Sequence, residues 1–320
     1  MRLNLKIALV LAGISFLEVQ IVAQSPQDSV LTIERALHEN FDWIDNLQVE
    51  CESLEKKSPA GTLSSYTFNY CSNGSNYKMS VKGGYKDETL SLAYDGRYGQ
   101  TLFPNGSLHL TKKPVDPFHN EWELSKRNAY FMSFWFLNTE TFISYYGIDQ
   151  LSFYKSKKTI DAFFVPATHL GEKKIGQFVC QVIHREFPII NAKILNGLFP
   201  GSILAGNSFN VYFCKELGWF PVKWKILNKN GNILIDYTVM ETGTFPSGKG
   251  RIFFAKKAIF RDFGMYSAKV AEEPSTIMEL NIKSVIFNNT SLDEEMFSID
   301  PSFARRIYDT DEDKGIAVPK

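Results

Sequence analysis

The sequence predicts a mainly β protein of the α+β kind: one large, curved antiparallel sheet with helical segments against its hollow side. Three observations predict it. Apolar residues alternate with polar ones through most of the chain, the period of a strand with one buried face. Compact turn signals such as Asn73-Gly74, Asp95-Gly96 and Asn230-Gly231 separate the alternating runs, which makes successive strands antiparallel. One stretch departs from the pattern: Ala129 to Ile148 carries eight aromatic side chains, many of them at spacings of three and four. A sheet of so many strands curls through its own twist, and its apolar side then needs a cover.

Residues 1–23 read as a secretory leader, with basic Arg2 and Lys6, an apolar run from Ile7 to Phe16, and Ala23 before Gln24 as the cleavage point. The apolar run is too short for a retained anchor and Glu18 follows it, so the mature chain is expected to be exported to the periplasm with no transmembrane span. The chain has 35 basic and 35 acidic residues, and loss of the leader leaves it within one charge of neutrality. That balance gives no general attraction to nucleic acid or anionic membrane. No Pro/Gly/Ser-rich linker divides the remainder, so 24–293 is expected to be one domain, followed by a charged, irregular tail at 294–320.

After the leader, Asp28 or Ser29 can cap a helix whose apolar positions Ile33, Ala36, Leu37, Phe41 and Ile44 follow the helical period. The period then becomes two. Leu47, Val49 and Cys51, then Tyr66, Phe68 and Tyr70, then Tyr77, Met79 and Val81, then Leu90, Leu92 and Tyr94 give four strands of a meander. Short strands near 99–103 and 107–111 are joined by Pro104-Asn105-Gly106. The insertion at 117–148 is helical, broken by Asn138, Thr139 and Glu140, and so falls short of the roughly 18–20 unbroken apolar residues of a membrane span. Strands resume at 150–154, 161–166 and 177–186. The connection 187–206 is mostly apolar, costly to leave in water, and is expected to fold back on the core or to grip a ligand. Strands around Phe209 to Phe213, Val222 to Ile226, Ile233 to Val239, 251–263 and 277–287 complete a second meander.

Four cysteines, Cys51, Cys71, Cys180 and Cys214, stand in a chain expected to meet an oxidising compartment. The midpoint of the first two falls at Gly61 beside Pro59, and that of the last two at Gly197 after Asn196. If each turn closes a hairpin, Cys51 faces Cys71 and Cys180 faces Cys214, close enough to bridge. The alternative is four buried thiols.

No hydrolase, metalloprotease, P-loop or dinucleotide motif is present, so no enzyme, cofactor or metal is expected. The five histidines, His38, His109, His119, His169 and His184, are dispersed. The acidic run Asp309, Asp311, Glu312 and Asp313 lacks the spacing of a calcium loop and is expected to be a solvated tail. The triplets at Asn73, Asn105, Asn288 and Asn289 match the glycosylation pattern of a eukaryotic host, and the first two also suit plain turns.

The order of features resembles a family. A leader, one amphipathic helix, a meander reaching Tyr94-Asp95-Gly96, a helical insertion and a second meander through Gly218-Trp219-Phe220-Pro221-Val222-Lys223 look like the LolA-like superfamily. Its members include periplasmic outer-membrane lipoprotein carriers and lipoprotein-sorting proteins. The ending with Phe297, Asp300-Pro301 and Tyr308-Asp309 is similar to that of exported members. The resemblance implies a half-open β-barrel with helices over its concave face and an apolar cavity for acyl chains, hence a non-catalytic carrier or sensor of lipid or lipoprotein. Phe131, Phe134, Trp135, Phe142 and Tyr146 are then the expected lining of the cavity mouth, although aromatic faces at this spacing suit a packed core equally. With a filled interior the same fold would be a module that binds an envelope protein partner. This chain departs from the small carriers in its length, its cysteines and its apolar 187–206 connection.

Overall fold

The structure is a computed structural model and describes residues 26–41, 46–58, 61–73, 76–83, 88–112, 167–186, 207–247, 250–264 and 270–318. The leader, the aromatic segment 129–148, the expected strands at 150–154 and 161–166, and the apolar connection 187–206 lie outside the described residues.

The first element is α1 (Pro26–Phe41), which begins at a proline whose fixed φ suits a first helical position. Asp28 and Ser29 therefore stand inside the first turn and not at the cap. Val30, Ile33 and Leu37, three and four residues apart, are the buried positions, and the helix lies against β7 (Thr168–Ile175). Among the described residues α1 is the one α-helix. The rest of the helical cover expected from the sequence falls on residues that are not described, so a sheet covered by helices along its apolar side is not shown.

The alternating runs form β1 (Asn46–Lys57), β2 (Thr62–Asn73), β3 (Asn76–Gly83), β4 (Glu88–Tyr94), β5 (Gly99–Leu102) and β6 (Ser107–Thr111). The second series is β7, β8 (Phe178–Glu186), β9 (Ser208–Cys214), β10 (Phe220–Leu227), β11 (Ile233–Ser247), β12 (Gly250–Asp262) and β13 (Thr276–Phe287), with β14 (Arg306–Asp309) and β15 (Lys314–Ile316) at the end. All belong to one sheet, in the order β15-β14-β6-β5-β4-β3-β2-β1-β13-β12-β11-β10-β9-β8-β7. The first meander runs outward from β1, and the second starts at the far edge and runs inward until β13 pairs with β1. The sheet is open, with β15 and β7 as its edges. Every pair of neighbours is antiparallel except β14 beside β6, so the sheet is mixed where a purely antiparallel one was expected.

That one parallel pair comes from the C-terminal segment, expected to be an irregular tail. It is instead folded onto the sheet. Ile299, Ala304 and Ile307 pack with Ala93 and Leu108 in a second apolar cluster. Ala93 follows Leu92, a member of the main core, so the small cluster lies on the opposite face of β4. Backbone bonds hold it there: Ile299 N donates to Gln100 Oε1 at 2.6 Å, and Arg305 N to the Gly106 carbonyl at 2.7 Å. Gly106 turns from β5 to β6 at φ +81°, where a Cβ would also come within 2.8 Å of the Arg305 side chain. The acidic run becomes the β14–β15 turn, with Asp309 accepting from the backbone N–H of Asp311 and Glu312.

Candidate ligand-binding face

Most of the main core lies on one face of β1–β4 and β8–β13, where one row of residues crosses the second meander, while Cys180, Val182, Tyr212, Cys214 and Leu234 extend it to the other face. Val211, Trp224, Tyr237, Phe260 and Met278 face their neighbours in turn from β9 to β13, and Glu55 of β1 comes next. All five apolar members are buried. Trp224 sits at the centre of an aromatic group, its ring centroid 5.4 Å from Phe209, 5.4 Å from Tyr237 in a stacked arrangement, and 6.1 Å from Phe260 at its edge. The adjacent row is Val239, Ala258, Leu280, Ser53 and Tyr66.

Polar atoms are embedded in this surface. The Trp224 indole Nε1 and the Ser53 hydroxyl are buried without a hydrogen-bond partner, which costs about 1–3 kcal/mol apiece. Glu55, also buried, accepts from the Tyr66 hydroxyl at 3.1 Å and lies 3.9 Å from Lys57 Nζ. Burial holds the Tyr237 hydroxyl proton well above its ordinary range, and the nearby Cys51 adds to the effect.

The opposite face of the same strands is ionic. Asp236 lies 2.9 Å from Lys223 Nζ, 3.6 Å from Lys225 Nζ and 3.8 Å from Arg261 Nη1, and it accepts from the Thr238 hydroxyl at 2.8 Å. Burial lowers the Lys225 ammonium from its ordinary value, and Asp236 partly restores it. His184 bonds Asn210 Oδ1 at 2.6 Å in the adjoining ladder. Among the described residues no group of three or more His, Cys, Asp and Glu is arranged to hold a metal ion, and no described helix is long and apolar enough to cross a membrane.

Of the residues singled out from the sequence, Phe131, Phe134, Trp135, Phe142 and Tyr146 lie outside the described residues. The four cysteines are free thiols. Cys180 stands directly across from Cys214, as the spacing predicts. Cys51 does not face Cys71. It faces Phe68, and Cys71 faces Gln48, because the turn closes between Lys57 and Thr62 with Gly61 N bonded to the Lys57 carbonyl. The offset of three residues is odd, so Cys71 points to the other face of β2. Ser53 and Glu55 were missed, although a signal existed: both share the parity of Val49 and Cys51, so polar groups occupy apolar positions. Trp224 gave no such signal, since a tryptophan in an alternating run is ordinary core.

No protein-family model matches the chain, and no curated protein matches it. Solved structures do. A DUF1329 family protein from Desulfovibrio piger matches with TM-score 0.50 at 8% identity, over 85% of this chain and 97% of that one. A putative outer membrane lipoprotein-sorting protein domain from Vibrio parahaemolyticus matches with TM-score 0.47 at 11% identity, over 84% and 95% of the two chains. A LolA superfamily protein from Nitrosomonas europaea matches with TM-score 0.46 at 10% identity, over 84% and 97%. The likeness to the DUF1329 family protein is one of fold.

Proposed function

We propose that this chain is an exported, non-catalytic carrier or sensor that holds acyl chains of a lipid or lipoprotein against the apolar face of its sheet. The observation that carries the reading is the aromatic row around Trp224, in which an indole N–H has no acceptor. An acyl ester or carboxylic acid suits such a surface on both counts. Its methylenes gain about 0.8 kcal/mol each on burial, and its carbonyl oxygen gives Trp224 Nε1 the acceptor it lacks. Phe131, Phe134, Trp135, Phe142 and Tyr146 would line the mouth. The support for that assignment is topological: β6 and β7 flank this part of the chain in sequence yet stand third from one edge and at the other edge of the sheet.

A second reading rests on a different observation. The apolar side chains of this face are already buried, which suits a filled interior and a module that binds an envelope protein through its surface. Native mass spectrometry of the full chain purified from cell envelopes separates the two. Lipid adducts are expected, with Trp224→Phe losing acyl ligand first. A clean apo mass together with no uptake from phospholipid vesicles would leave the interaction module standing.

A further inference from the structure

Among the four cysteines, register sorts one pair from two single residues. Cys180 of β8 and Cys214 of β9 are direct partners across an antiparallel pair, on the face that carries Val182 and Tyr212, and both are fully buried. Facing residues on one side of a sheet have Cβ atoms about 4.5–5.5 Å apart, close to the separation a disulfide spans. The two thiols are close enough to perturb one another's ionisation. Cys51, by contrast, faces Phe68 on one side and Ile282 on the other, and Cys71 faces Gln48 and Lys78.

We propose that Cys180 and Cys214 are joined by a disulfide in the exported protein, made as the chain folds, while Cys51 and Cys71 remain thiols. The bond requires the loss of two protons and two electrons, and a disulfide of an envelope thiol oxidant is the acceptor. The Cys214 thiolate attacks one sulfur of that disulfide and expels the first oxidant thiolate, giving a mixed disulfide. The Cys180 thiolate then attacks Cys214 Sγ, releases the second, and leaves the oxidant as a dithiol. The reaction belongs to folding and not to the finished protein: once buried, the Cys180 thiol is pushed up to about 12, and solvent no longer reaches either sulfur. The bond would tie β8 to β9 beside the open β7 edge and close the chain from Gln181 to Phe213 into a loop.

The test is a thiol count. The full chain, exported to an oxidising compartment, is unfolded in guanidinium with iodoacetamide and no reductant, then digested and weighed. Two alkylated cysteines, Cys51 and Cys71, are expected, with the Cys180 and Cys214 peptides linked and two hydrogens lighter than the dithiol. Four alkylated cysteines, or a link through Cys51 or Cys71, would overturn the proposal. Cys180→Ala/Cys214→Ala should lower Tm on the order of 10 °C relative to the oxidised protein and match the reduced one. Should that variant fail to fold, the count on the unaltered chain still decides.

Discussion

On one face of β10, β11 and β12 stand Trp224, Tyr237 and Phe260, and one residue along in each strand, on the other face, stand Lys225, Asp236 and Arg261. The same register, read at two parities, produces an aromatic stack and an ion cluster a sheet's thickness apart. The aromatic side is held by many small contacts, so damage to it should scale with the volume removed. The ionic side is organised differently, since three cations share one carboxylate. Its stability should hinge on Asp236 and be nearly indifferent to the loss of one lysine.

The largest expected effect is on the aromatic side. Trp224→Ala empties the centre of the stack and should cost about 3–5 kcal/mol in denaturant unfolding, because the surrounding strands cannot collapse onto the gap. A loss below about 1 kcal/mol would mean that the ring borders an open space, which would favour the ligand-binding reading over the filled interior.

Asp236→Asn comes next, at about 1–3 kcal/mol, discounted from a fully buried pair because its cationic partners keep some contact with water. The variant leaves Lys223, Lys225 and Arg261 facing one another, so added salt should restore part of the loss in the variant and change the unaltered protein little. Lys225→Met in the Asp236→Asn background should recover stability as well, since burial already disfavours that ammonium. If Lys225→Met instead adds its own full cost, the cluster is not a shared one.

Much of this architecture was legible in the chain. Alternation placed β1 to β4 and β9 to β13, because a strand with one buried face leaves its period in the sequence. Register was harder to read. The turn after Lys57 lay where Pro59 and Gly61 pointed, yet its closing pair, set by one backbone bond to Gly61, moved Cys71 to the wrong face for a bridge with Cys51. The C-terminal segment was misread for another reason: Phe297, Ile299, Ala304 and Ile307 are buried without a regular period, because two short 3-10 turns and a parallel strand carry them. Charge around them disguised a core segment as a tail. The unpartnered Trp224 N–H could not be foreseen at all, since whether a donor finds an acceptor depends on neighbours four strands deep.

Two groups, Cys51 on one face and Lys225 on the other, should also answer alkaline pH with opposite signs, and this is the smallest effect. On the apolar face burial raises the Cys51 thiol from its ordinary 9.0 to about 12. Above pH 9 the unfolded chain therefore releases a proton that the folded protein keeps, and stability falls as pH rises toward 12, by at most about 1.4 kcal/mol per pH unit. On the ionic face Lys225 is lowered below its ordinary 10.5. Between those two values the unfolded chain holds the extra proton, so this group makes stability rise with pH until it passes 10.5. In urea titrations from pH 8 to 11, Cys51→Ala should flatten the alkaline decline and Lys225→Met should steepen it. The same change of slope in both variants would show that Cys51 and Lys225 do not act in opposite directions, and that the contrast between the faces ends at their packing.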